Sequence, residues 1–184
     1  AFRNIPLTGK DHRILLDDPE IDAILIGSPS AEHATQMIEC AEAGKHIFCE
    51  KPIALDPNVI RNTLTKVDKS GVKLQGGFNR RFDPNFSAVQ QQVASGALED
   101  PHIVRITSRD PAPPPAEYVS GSRGMFLDMT IHEFDLASFL RGSEVTEDDA
   151  DGGVLMDPVS VKACEIYTRV VALKTVTRPP PPPS

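Results

Sequence analysis

The sequence predicts an α/β fold, a doubly wound parallel sheet followed by a second portion of α+β type. Three observations carry this. Short apolar runs that end on glycine or a polar turn match strands buried on both faces. Stretches with apolar residues at helical spacing, each stopped by glycine, lie between those runs. Strand and helix alternate through the first part of the chain, which calls for parallel pairing through right-handed crossovers.

The first strand is Asp22-Ala-Ile-Leu-Ile-Gly27, and Ser28-Pro29-Ser30 breaks it. Over 31–43, Ala34, Met37, Ile38 and Ala41 recur at helical spacing before Gly44, a natural helix stop. His46-Ile-Phe-Cys49 is the second strand. Asp56 then serves as an N-cap with Pro57 in the first turn, and the helix runs to Ser70 before Gly71. Residues 72–77 make the third strand. Ligands of such sheets sit beyond the carboxyl ends of the strands. Here those ends are Gly27-Ser28-Pro29, Glu50-Lys51-Pro52 and Gly76-Gly77-Phe78-Asn79.

The pattern changes after Arg81. Asp83-Pro84 caps a helix reaching Ser95, 102–108 alternates as a half-buried strand, and 110–116 is a proline-rich loop. Residues 125–141 read as one amphipathic helix ending at Gly142, and 165–173 alternate weakly. The tail, Arg178-Pro-Pro-Pro-Pro-Pro-Ser184, suits extended polyproline geometry. Three regions result: 1–78, 79–177 and the tail 178–184. There is no internal repeat.

A chain of 184 residues fits one domain, or one and a fraction, with a real core. Its 40% hydrophobic and 24% charged residues are those of a soluble globular protein. A net charge of -7 supplies no basic stripe, which argues against a nucleic-acid partner. No apolar run approaches the roughly 18 residues of a membrane span, and the N-terminus has no signal pattern. Cys40, Cys49 and Cys164 are widely spaced and odd in number. They suit a reducing compartment, so cytoplasm is expected, and they form neither a disulfide framework nor a zinc knuckle.

The residues that carry chemistry fall in two places. Lys51 ends the second strand between Glu50 and Pro52, where a lysine can hydrogen-bond a hydroxyl and tune a proton relay. Asp128 and His132 stand four residues apart, on one face of the expected helix. A carboxylate there fixes the imidazole tautomer and raises its basicity, and Asp135 can flank the ring from the other side. Asp128, His132 and Asp135 also form a weaker metal-ligand set, without cysteine or a second histidine. Glu32 and His33 open the helix after the first strand, where backbone N–H groups can meet an anion. Arg80 and Arg81 either clamp a polar substrate or form surface ion pairs. The chain has no Gly-x-Gly-x-x-Gly, and Gly121-Ser-Arg-Gly124 has neither its spacing nor its context.

Four segments together resemble the Gfo/Idh/MocA oxidoreductases, in particular their inositol 2-dehydrogenase branch. They are Gly27-Ser-Pro-Ser-Ala-Glu-His33, Ala43-Gly-Lys-His-Ile-Phe-Cys-Glu-Lys-Pro52, Gly77-Phe-Asn-Arg-Arg-Phe82 and Gly124-Met-Phe-Leu-Asp-Met-Thr-Ile-His-Glu-Phe-Asp135. The resemblance runs to about Asp157. It implies a Rossmann domain, then an α/β domain with a large open sheet that often mediates oligomers. It also implies oxidation of a secondary hydroxyl on a cyclic polyol or sugar, with NAD (or NADP) as cofactor. Lys51, Asp128 and His132 match the catalytic lysine, the substrate-holding acid and the general base. Ser28, Pro29, His33, Glu50, Lys51, Pro52 and Asn79 match positions along the cofactor crevice. Lys51, Arg80, Asp128 and His132 face the substrate on this reading.

Two departures bear on activity. The family's first strand, glycine-rich loop and second strand have no counterpart here, so the chain is expected to begin partway through the Rossmann domain and to bind NAD(H) weakly. Past Val161 the likeness fades. An alternative from another class is a non-catalytic module that associates with itself or with a full-length relative.

Overall fold

Strands β1 (Ala23–Ile26), β2 (His46–Cys49) and β3 (Leu74–Gly76) form a parallel sheet in the order β1-β2-β3. The computed structural model describes residues 9–99, 101–109, 125–142, 150–151 and 169–170. The register pairs Ile26 with Cys49 and Cys49 with Gly76, so the three strands finish level. Crossover helices α2 (Ser30–Glu42) and α3 (Pro57–Ser70) connect them. A four-residue helix, α1 (Arg13–Leu16), precedes β1. It is too short to leave a readable period.

Local signals fix α3 at both ends. The Asp56 carboxylate accepts from the Asn58 N–H at 2.7 Å, satisfying one of the donors a helix start leaves open. Pro57 takes the first position, where its missing N–H is no loss. At the other end Gly71 adopts φ +74°, a left-handed conformation that side chains resist.

Met37, Cys40 and Ala41 of α2 and Val67 of α3 pack with Ile24, Ile26, Ile47 and Cys49 of the sheet in one buried cluster. Full burial of a side chain the size of Met37 stabilises by about 1.5–3 kcal/mol. The expectation of strands buried on both faces is met on one face only among the described residues. Burial alternates along β1, and Leu25 on the other face is 72% exposed. Burial drives both core thiols, Cys40 and Cys49, up from their ordinary value of 9.0 to about 11.

The chain divides into two compact units, Ala1–Gly77 and Phe78–Ser184. The second holds a 3-10 helix (Asn79–Phe82), α4 (Pro84–Ala94), α5 (Met125–Asp128) and α6 (Thr130–Arg141). It also has an antiparallel pair, β4 (Ala150–Asp151) with β5 (Arg169–Val170). Asp83 caps α4 through the N–H groups of Asn85 and Phe86 at 2.8 and 3.3 Å.

Two expectations are corrected here. The single helix over 125–141 is broken at Met129, which separates α5 from α6. Residues 102–108 form no strand: Val104, Ile106 and Ser108 are half-buried and their neighbours exposed, but no ladder pairs them among the described residues. Alternation reports which side of a chain is covered, and a strand also needs a hydrogen-bonded partner. The loop 110–116 and the tail 178–184 lie outside the described residues. Among those residues, no helix is long and apolar enough to cross a membrane.

Candidate active site

The level strand ends set out one row of backbone. The ladder continues one step past the strands, with Glu50 N donating to Ile26 O at 2.9 Å and Gly77 N to Cys49 O at 2.8 Å. Close approach explains the glycine. A Cβ on Gly77 would lie 3.0 Å from Glu50 Cα and 2.7 Å from its Oε2. Beyond this row come the turn 27–29 and the loop carrying Lys51.

Each predicted residue of the first unit has a distinct place. Glu50 and Pro29 are exposed, Lys51 and Ser28 are half-buried, and Pro52 is buried. The Lys51–Pro52 peptide is cis. Ser28 Oγ donates to Gln36 Oε1 at 2.7 Å, and Gln36 Nε2 donates to Glu32 Oε2 at 3.0 Å. Those bonds tie the turn back onto α2. His33 is 1% exposed, with Nδ1 2.8 Å from Pro52 O and Nε2 2.8 Å from Ser28 O. A ring so held presents neither nitrogen to a ligand. Its place in the sequence, at a helix start beside a crevice, could not reveal that it points inward.

In the second unit, Phe78 meets the His132 ring edge-on, with centroids 6.4 Å apart and planes at 84°. His132 and Asp128 are both half-buried. The break at Met129 puts them on successive helices rather than on one continuous helical face.

The two arginines take the ion-pair option. Arg80 bonds Glu133 and donates to Ser108 Oγ at 3.3 Å, while Ser108 Oγ donates to Glu133 Oε1 at 2.6 Å. Arg81 Nε donates to both oxygens of Asp135, at 2.8 and 3.1 Å, and its guanidinium lies 5.5 Å from the centre of the Phe139 ring. Asp135 is therefore bound by Arg81. Among the described residues, no group of three or more His, Cys, Asp or Glu is placed to hold a metal ion. Glu133 and Ser108, the partners of Arg80, went unread in the sequence. The arginine and its acid stand 53 residues apart, and no local period links them.

Open α/β sheets bind ligands outside the carboxyl ends of their strands, and in the first unit those three ends lie level.

Comparison with known proteins matches both units to one family. Residues 3–78 match an oxidoreductase family with an NAD-binding Rossmann fold, and residues 86–172 match the GFO/IDH/MocA C-terminal domain. The chain is 47% identical to the myo-inositol 2-dehydrogenase of Thermotoga maritima, over 90% of its own length and 49% of the relative's. It is 44% identical to the inositol 2-dehydrogenase of Rhizobium meliloti, over 86% of this chain and 48% of the other. Among solved structures, scyllo-inositol dehydrogenase from Lactobacillus casei with bound NAD(H) and scyllo-inositol aligns at TM-score 0.76 and 34% identity, covering 88% of this chain and 51% of that one. The chain thus spans about half the length of the relatives it matches. With both of its units matched in order, it belongs to the Gfo/Idh/MocA oxidoreductase family.

Proposed function

We propose that the protein is an NAD-dependent oxidoreductase that oxidises a secondary hydroxyl of a cyclic polyol, an inositol or a related sugar. One observation carries this reading. Lys51 stands at the carboxyl edge of a level parallel sheet, in a chain 44 to 47% identical to inositol 2-dehydrogenases.

Bound NAD supplies the hydride acceptor, and NADP is the variant to compare. Ser28, Pro29, Glu50, Pro52 and Asn79 border the dinucleotide in this proposal. Lys51 donates a hydrogen bond to the reacting hydroxyl, and its positive charge favours the alkoxide that forms as the proton departs. His132 takes that proton at a ring nitrogen, and Asp128 holds the substrate beside it. With Arg80 bound to Glu133 and Ser108, its part is to brace α6 rather than grip the polyol. The complete protein is proposed to act as a homo-oligomer in the cytoplasm, consistent with free Cys40 and Cys49 in its core.

The test is reduction of NAD by the purified protein with myo-inositol and scyllo-inositol, beside Lys51→Ala. Turnover that falls by about 10²–10⁴-fold in the variant is expected. NADH binding without turnover on any cyclic polyol or sugar would overturn the substrate class.

A further inference from the structure

His33 lies on the first turn of α2, and its ring nitrogens lie 2.8 Å from two backbone carbonyl oxygens, those of Ser28 and Pro52. Those carbonyls belong to different loops, one leaving β1 and the other leaving β2. Pro52 follows Lys51 directly. The ring therefore links the turn at the first strand end to the loop that carries the lysine. Filling space alone would suit an apolar side chain in such a buried position. A histidine that places one nitrogen on each loop holds their separation as well as filling the gap.

We infer that His33 is a positioning residue. Its Nδ1–H donates to Pro52 O and so fixes the Lys51–Pro52 loop, and with it the direction from which Lys51 enters the crevice. On the other side Nε2 packs against the turn at Ser28, whose carbonyl oxygen only accepts and cannot donate to it. This rests on the reading of Lys51 as the catalytic lysine. The geometry itself does not, because ring, loops and strand ends all lie within the unit Ala1–Gly77.

Two amide substitutions separate the two contacts. Asparagine places its side-chain N–H₂ near the former Nδ1, within reach of Pro52 O, and glutamine places it near the former Nε2, within reach of Ser28 O. Positioning through Pro52 predicts that H33Q loses kcat about tenfold more than H33N, a difference of about 1.4 kcal/mol in barrier. KM for NAD should move little in either variant. Amide hydrogen exchange adds a reading independent of turnover, with residues 51–55 exchanging faster in H33Q than in H33N. If the two variants lose kcat and exchange protection alike, in step with their melting temperatures, the ring only fills space and the inference fails.

The unaltered protein gives a third reading should both variants unfold. Its imidazole ¹⁵N spectrum should show a slowly exchanging Nδ1–H, and a ring protonated on Nε2 alone would overturn the inference. Absence of polyol turnover in the unaltered protein would sink the proposed function, while the exchange and ¹⁵N results would still decide the clamp.

Discussion

The two units hold their reactive side chains by different means. In Ala1–Gly77 the placing is done by backbone: a level ladder, a glycine under Glu50, and a buried imidazole against two carbonyls. In Phe78–Ser184 it is done by side chains, with Arg80 and Arg81 bound to Glu133 and Asp135, which follow His132 one and three residues on. Backbone placement is rigid and tolerant of surface change. Side-chain placement depends on single ion pairs, so point mutations should separate the two units clearly.

The largest expected effect tests whether the second unit supplies chemistry at all. His132→Ala should lower kcat by about 10²–10⁴-fold, as loss of a general base does, with a melting temperature near that of the unaltered protein. A variant that keeps full turnover would reduce the second unit to scaffolding.

Next come the ion pairs. The Arg80 and Glu133 side chains are 25% and 14% exposed, and those of Arg81 and Asp135 are 43% and 10% exposed. Arg80→Ala leaves the Glu133 carboxylate, and Arg81→Ala the Asp135 carboxylate, largely buried without a guanidinium, so each should destabilise by about 1–3 kcal/mol. Urea unfolding of both variants checks this, and a loss near zero in Arg81→Ala would mean that solvent around the more exposed guanidinium sets the strength of that bridge. The counterpart in the first unit is Gly77→Ala. Its new methyl meets Glu50 Cα at 3.0 Å, so overpacking of about 1–3 kcal/mol is expected.

The sheet side also has a pH signature. Cys40 and Cys49 sit fully buried with thiols raised from 9.0 to about 11. Once pH passes 9, the unfolded chain releases these protons while the folded chain retains them. The stabilisation is therefore full below pH 9 and is lost as pH climbs toward 11. Melting temperatures across that window should fall, and fall less in Cys40→Ala/Cys49→Ala measured against its own value at neutral pH.

How far the sequence could be read follows the same division. The strands, the glycine at 71, and the Asp-Pro caps are local signals, written within a few residues of the structure they specify. The shared edge at Glu50-Lys51-Pro52 followed from strand order alone. The partners of Arg80 and the inward turn of His33 were not legible, because each depends on residues brought together by the fold. The break at Met129 escaped for a different reason. It leaves the hydrophobic period of 125–141 intact, and Met129 itself keeps α-region dihedrals of φ -102° and ψ -57°, so no breaker residue marks it.

The smallest predicted effect asks whether the two units differ at all in their local devices. Asp56 caps α3 and Asp83 caps α4, each followed by proline at the first helical position. Asp56 accepts one backbone N–H and Asp83 accepts two, the second at 3.3 Å. Because the short bond carries most of the interaction, Asp56→Ala and Asp83→Ala should each cost about 0.5–2 kcal/mol and resemble one another closely. Differential scanning calorimetry of the two variants is the check. Equal losses would mean that helix starts are built alike in both units and that their contrast lies only in how reactive side chains are held. A much larger loss at Asp83 would show that α4 leans on its cap because, unlike α3 with Thr63 and Val67, it buries no residue fully.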